Sequence, residues 1–207
     1  MNGFEFLATG TGASFVGFLI SQAKAWLANR KLKKKHDNFI MGMRSVAKVY
    51  AAMYEIMKKT AAERILLLEV TNGGNAPKPG SIMYARAIEA QAPTSEQAQE
   101  MIRRYESVRI DDNYINMVLQ SANTHRPYCF DVDRHEDCLL RNIYITEGVR
   151  YSEVFHLFTD TERQKMFIMT IASFSNLSFD EIKDRAQINY CVDEIRDEFA
   201  SYSKMVL

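Results

Sequence analysis

Residues 64–70, Arg-Ile-Leu-Leu-Leu-Glu-Val, form a short apolar run that ends at the turn residues Asn72, Gly73 and Gly74. A run of this length, bounded by a turn, reads as a buried central strand. Such a strand needs apolar cover from other layers, and this constrains the fold more than any other stretch. The following run, "GSIMYARAIE", predicts a second strand. Ile82, Tyr84, Arg86 and Ile88 would share one face, with Met83, Ala85 and Ala87 on the other. The connection is too long for a two-residue hairpin. Gly73 and Gly74 permit positive φ there, and Pro77 and Pro79 stiffen the exit.

The cover is legible on both sides of these strands. Asp37 or Asn38 predicts the start of a helix, with Phe39, Ile40, Met43, Val46, Ala47, Tyr50, Met53, Tyr54 and Met57 at helical spacing. Thr94 and Gln97 in "TSEQAQEMIRRY" have the spacing of a capping box. Another helix is expected from Asp111 or Asp112, carrying Tyr114, Ile115, Val118 and Leu119 inward. A short extended piece, "PYCFDV", and an amphipathic stretch, "DCLLRNIYI", come next, and Gly148 breaks the latter. "RYSEVFHLF" and "KMFIMTIASF" then read as strands joined by a hairpin loop, "TDTERQ". Ser178, with Glu181 three residues on, opens a last helix whose apolar stripe includes Ile182, Ala186, Ile188, Val192, Ile195 and Phe199. The fold class expected is α+β, one antiparallel sheet flanked by helices and preceded by one transmembrane helix.

That transmembrane helix is expected in the stretch Phe6–Ala23, which carries no charge over 18 residues. This length is near the lower limit for a spanning helix. Trp26 follows at interface level, and residues 30–35, "RKLKKK", place five cations in six positions. An aromatic anchor followed by Lys and Arg keeps the next segment cytoplasmic. A signal peptide would carry its cations before the apolar run. Beside such a helix the basic cluster suits anionic lipid headgroups rather than nucleic acid. Gly10 with Ser14, and Ala13 with Gly17, are small-residue pairs that allow close helix approach and homo-oligomers. Residues 1–36 are thus read as anchor and basic juxtamembrane segment, and 37–207 as one domain. The whole chain is balanced at 26 basic and 26 acidic residues, and its hydrophobic fraction of 47% is enough for a sizeable core. Three cysteines, Cys129, Cys138 and Cys191, suit a reducing compartment rather than a disulfide framework.

The order of elements resembles a GAF domain. The resemblance is carried by the leading helix, "RILLLEVTNGG", "GSIMYARAI", the mid-chain helices, the pair "RYSEVFHLF" and "KMFIMTIASF", and the helix from Ser178, spanning Phe39 to Tyr202. It implies a small-ligand or regulatory module, often dimeric and usually attached to an effector, and no kinase, cyclase or DNA-binding segment is recognisable here. The cyclic-nucleotide signature of the family, a separated Asn-Lys, Phe and Asp-Glu set, is not assembled. Phe179, Asp180 and Glu181 are contiguous in a helix cap, and no chromophore-attaching cysteine is assigned.

Candidate chemistry is sparse. Glu69, Asn72, Tyr84 and Arg86 are the ligand-binding candidates, as polar groups on a sheet-side apolar wall. The competing reading pairs Arg86 with Glu69 across adjacent strands. His125, Cys129, His135 and Cys138 fall within 14 residues, the donor types zinc favours, but their spacing is not a common finger spacing. No metal or other cofactor is expected. His156 reads as a half-buried structural histidine, and no nucleophile has a recognisable elbow or partner pattern. The expected function is therefore a noncatalytic, membrane-anchored, cytoplasmic sensory or regulatory module that binds a small molecule. The alternative is a protein–protein interaction or assembly module on the same fold.

Overall fold

The computed structural model describes the backbone of residues 5–73, 80–175, 179 and 182–206, and side chains at 24, 27, 30–73, 80–175, 179 and 183–201. The chain divides into two units, Met1–Arg44 and Ser45–Leu207.

Helix α1 spans Glu5–Lys59 without a break. The helix start expected at Asp37 or Asn38 is absent. Residues 23–35 are rich in Ala, Leu, Lys and Arg, strong helix formers that leave no terminus for Asp37 to cap. The side chains of Phe6–Ala23 lie outside the described residues, and the membrane-anchor reading lies there with them. Among the described residues no helix is long and apolar enough to cross a membrane. The Ser178–Glu181 capping box is also outside the described residues.

In the second unit the sheet has six strands: β1 (Arg64–Thr71), β2 (Met83–Gln91), β3 (Val108–Ile110), β4 (Tyr128–Asp131), β5 (Tyr151–Asp160) and β6 (Lys165–Ser173). Their order is β3-β2-β1-β6-β5-β4 and all pairings are antiparallel. β1 is central and buried along nearly its whole length, as its run of Ile and Leu requires. β3, three residues long, carries too little pattern to be read from the sequence.

Alternation along β1 splits the core into two layers. Ile65 and Leu67 pack with Val49, Met53 and Ile56 of α1 and with Ile188, Val192 and Ile195 of α5 (Ile182–Val206). Leu66, Leu68 and Val70 face the other way, toward α2 (Ser95–Arg104), α3 (Asp112–Thr124) and α4 (Leu139–Glu147). Thr94 and Gln97 form the expected capping box at α2.

Two helix stripes differ from the sequence reading. On α1 the buried positions are Ser45, Val49, Ala52, Met53 and Ile56, whereas Phe39, Met43, Val46, Tyr50 and Tyr54 are exposed. On α3 they are Tyr114, Met117, Val118 and Ser121, and Leu119 is exposed. In both helices one narrow face meets the sheet, and small residues such as Ala52 and Ser121 let it approach.

Candidate functional site

Arg64 opens β1 and points, by strand alternation, to the same face as Leu66 and Leu68. Its side chain is 2% exposed. Its Nη1 donates to Oε2 of Glu147, the last residue of α4, whose side chain is 5% exposed. The Tyr105 hydroxyl donates to the same oxygen at 2.8 Å, and Arg104 Nη1 donates to Oε1 at 3.3 Å. A carboxylate at the end of a helix meets the negative pole of its dipole. Three donors offset that, and Gly148, left-handed at φ 76°, ends the helix there.

The Arg64 guanidinium carbon lies 5.9 Å from the Tyr105 ring centre and 5.4 Å from that of Tyr144, within cation–π range. Burial works against its charge, but Tyr105, Tyr144 and Glu147 together outweigh that and raise its pKa above the usual arginine value. Burial also pushes the Tyr105 and Tyr114 phenols up, so both keep their protons.

What sets this cluster apart is what it leaves unpaired. Arg64 Nε and Nη2, the Tyr114 hydroxyl and Thr170 Oγ1 are all buried with no hydrogen-bond partner. Buried polar groups are normally paired. All three side chains line one cavity of about 20 Å³, walled by Leu66, Leu68 and Ile143 among others. Thr170 reaches it because it lies opposite Leu66 in the β1–β6 register. Tyr114 reaches it from the first turn of α3, which Asp111 caps by accepting from the Tyr114 N–H at 2.9 Å. Arg109 and the exposed Leu139 also line the cavity, so one side of it reaches the surface.

The opposite face holds a second buried ion pair. Glu153 on β5 is fully buried and Arg185 on α5 is 25% exposed. Arg185 donates through both Nη1 and Nη2, one to each carboxylate oxygen. The Tyr151 hydroxyl adds a bond to Oε1 at 3.0 Å, and Cys129 Sγ lies 3.9 Å from it. Beside it is an open groove of about 450 Å³ lined by His125, Arg126, Arg185 and Arg196 among others.

The residues singled out from sequence lie elsewhere. Glu69 is on the sheet face opposite the cavity, paired with Arg86 at 3.1 Å and Lys165 at 2.9 Å. Arg86 is therefore engaged in the cross-strand pair weighed as the alternative. Tyr84 is exposed on β2 and Asn72 sits in the bend after β1. None of the four lines the cavity. His135 stacks on Phe130 with ring centres 4.0 Å apart, Cys138 caps α4, and His125 caps the end of α3 at φ 54°. Cys129 faces Glu153. Among the described residues no group of three or more His, Cys, Asp or Glu side chains is set to hold a metal ion. His156 is held by Thr159 through Nε2 at 2.9 Å, and burial, then Arg196 and His125, lower its pKa.

The sequence reading missed Arg64, Glu147 and Thr170 as site residues and placed Tyr114 in the core. One local signal was present: a lone cation heading the Ile-Leu-Leu-Leu run of the central strand.

The sequence matches no protein-family model and, at significance, no curated protein. Solved structures do match. The GAF domain of a two-component sensor histidine kinase from Bacillus halodurans aligns at TM-score 0.51 and 7% identity, over 75% of this chain and 92% of that one. A GAF domain from Synechocystis sp., in its photoproduct state, aligns at TM-score 0.51 and 9% identity, over 78% and 96%. The chromophore-binding domain of an unusual bacteriophytochrome from R. palustris aligns at TM-score 0.52 and 8% identity, over 84% and 63%. Among the described residues, six antiparallel strands between a pair of long helices and three shorter ones thus make a GAF-like α+β fold.

Proposed function

We propose that the chain is a noncatalytic sensory or regulatory module that takes a small molecule into the cavity between the sheet and helices α3 and α4. The observation that carries this reading is that Arg64, Tyr114 and Thr170, each with a buried polar atom that lacks a partner, line one cavity. Leaving such groups unsatisfied costs about 1–3 kcal/mol each, a penalty that a bound partner removes. A mostly apolar wall with a few convergent polar groups is the usual form of a ligand site. The neighbours lend support: one belongs to a sensor histidine kinase and another binds a chromophore.

In this reading the uncharged run Phe6–Ala23 and the cations at 30–35 tether the module to a membrane by a single pass, with the C-terminal unit cytoplasmic. Recovery of the full chain in the aqueous fraction without detergent would remove the tether and leave the module. A second reading, as an interaction or homo-oligomer module, is favoured by exposed Val46, Tyr50 and Tyr54 on α1.

The test is a thermal-shift screen of the full chain against a metabolite panel, followed by NMR of labelled Thr and Tyr. At least one compound should raise Tm and move the Thr170 and Tyr114 signals. A panel in which no compound does both would overturn the reading.

A further inference from the structure

We propose that this cavity is a carboxylate site, built for a short carboxylic acid anion of formate or acetate size. The inference rests on the ligand-binding reading above and adds the chemistry of the ligand. Every unpaired polar atom on the residues that line the cavity is able to donate. Arg64 Nε and Nη2 donate only, and the Tyr114 and Thr170 hydroxyls have free O–H groups. The missing partner must therefore bring acceptors.

Its shape follows from the free edge of the guanidinium. Nη1 is committed to Glu147, which leaves the Nε–Nη2 side open. That side is a planar fork of two parallel N–H bonds, and two carboxylate oxygens match it. The two hydroxyls then serve the remaining lone pairs.

Charge points the same way. Arg64 and Arg104 share the single carboxylate of Glu147, and Arg109 and Asp111 also line the cavity, so the five groups sum to one positive charge. One carboxylate brings the set to neutrality. A phosphate or sulfate dianion would need a second buried cation. The other cation lining the cavity, Arg109, is exposed.

Size sets the upper limit. A cavity of about 20 Å³ holds roughly one to two waters. A one- or two-carbon acid enters only if lining side chains such as Leu139 and Ile143 move outward, its tail then against the apolar wall. A cyclic nucleotide would have to displace α3 or α4.

Calorimetric titration of the full chain, at constant ionic strength, with sodium formate, sodium acetate, acetamide and sodium chloride tests this. Acetate or formate should bind at least about tenfold more tightly than acetamide, which has the same shape without the charge, and chloride should not compete. At a hundred times its Kd the acid should raise Tm by about 5 °C or more. Arg64→Lys keeps the charge and loses the fork, and should abolish binding. Because that variant also disturbs Glu147, Thr170→Val and Tyr114→Phe serve as the second pair. Each should weaken acetate about tenfold while leaving the unliganded chain at least as stable as before. Equal binding of acetamide, competition by chloride, or unchanged affinity in both hydroxyl variants overturns the carboxylate assignment. If an uncharged compound from the metabolite panel occupies the cavity while no acid does, this inference fails and the ligand-binding reading stands. If nothing binds there, both fail.

Discussion

The two faces of the sheet each bury one arginine–glutamate pair, and only one of the pairs is complete. On the α5 face Arg185 meets both oxygens of Glu153, and Tyr151 fills a further acceptor position. On the α3/α4 face Arg64 gives Glu147 a single nitrogen and keeps two nitrogens unpaired, with two unpaired hydroxyls beside them. Same residue types, same strand environment, opposite states of satisfaction. A complete pair fixes a helix to a sheet. An incomplete pair, facing a cavity, is an arrangement that waits for a partner. The difference lies in hydrogen-bond satisfaction, since in each pair a buried carboxylate is bonded to its arginine.

Removing one partner from each pair gives the largest effects. Glu147→Ala leaves Arg64, at 2% exposure, with no counter-charge. Arginine does not neutralise by losing its proton, so urea unfolding should show a loss of about 3–5 kcal/mol. Arg185→Ala strands Glu153, but that side is partly open to water, and Arg185 itself is 25% exposed. The loss there should be smaller, about 2–3 kcal/mol. Equal losses, or the reverse order, would mean that the Arg64 pair is already reached by water and would break the contrast at its base.

A pair of identical substitutions sharpens it further. Tyr151→Phe removes a donor that Glu153 uses, and should destabilise by about 2 kcal/mol. Tyr114→Phe removes a hydroxyl that nothing uses in the unliganded chain, and should stabilise by about 1 kcal/mol. Opposite signs of ΔΔG from denaturant titration are the expected result. Loss of stability in both would mean that the Tyr114 hydroxyl has a partner, such as an ordered water, and that the cavity is satisfied as it stands.

The sequence carried the architecture better than the site, and the reason is physical. The central strand at "RILLLEV", the capping box at Thr94 and Gln97, and the hairpin of β5 and β6 are local patterns, each set by neighbours a few residues apart. The cavity gathers positions 64, 114 and 170, with position 147 held to it through Arg64, from four separate elements. Each has an ordinary local role: Arg64 heads a strand, Tyr114 sits in a first helical turn, Glu147 precedes a glycine, Thr170 lies in a β-branched run. Only the pairing of Leu66 with Thr170, and the helix end that Gly148 sets, bring them together. The candidates read from sequence, Glu69 and Arg86, are directly opposite each other on adjacent strands, so their chemistry is spent on one another. The α1 stripe was misread because Tyr50 and Tyr54 match helical spacing as well as Val49 and Met53 do. Which set turns inward depends on where the sheet lies, and the spacing does not record that.

The smallest effect tests whether the α3/α4 face tolerates buried charge only where an opposite charge meets it. His156 is half-buried on β5. Burial first, and then Arg196 and His125, hold its pKa below the usual value near 6.5. Its own backbone carbonyl is taken by Arg196 at 2.9 and 3.1 Å, which keeps that cation beside the ring. The folded chain therefore prefers the neutral ring. Below about pH 6.5 the unfolded chain takes up a proton that the folded chain resists, so stability falls as pH drops through that value. The fall from this group ends once pH is below its folded pKa, where both states are protonated. Urea unfolding between pH 7.5 and 5.5 should show the loss in the wild type, and His156→Gln, which keeps a polar group near Thr159, should flatten it. An unchanged slope in the variant would show that the ring accepts its proton without penalty. The face that carries Arg64 would then admit a charge with no opposite charge to meet it, and its unpaired donors would no longer mark it as a site that needs a charged partner.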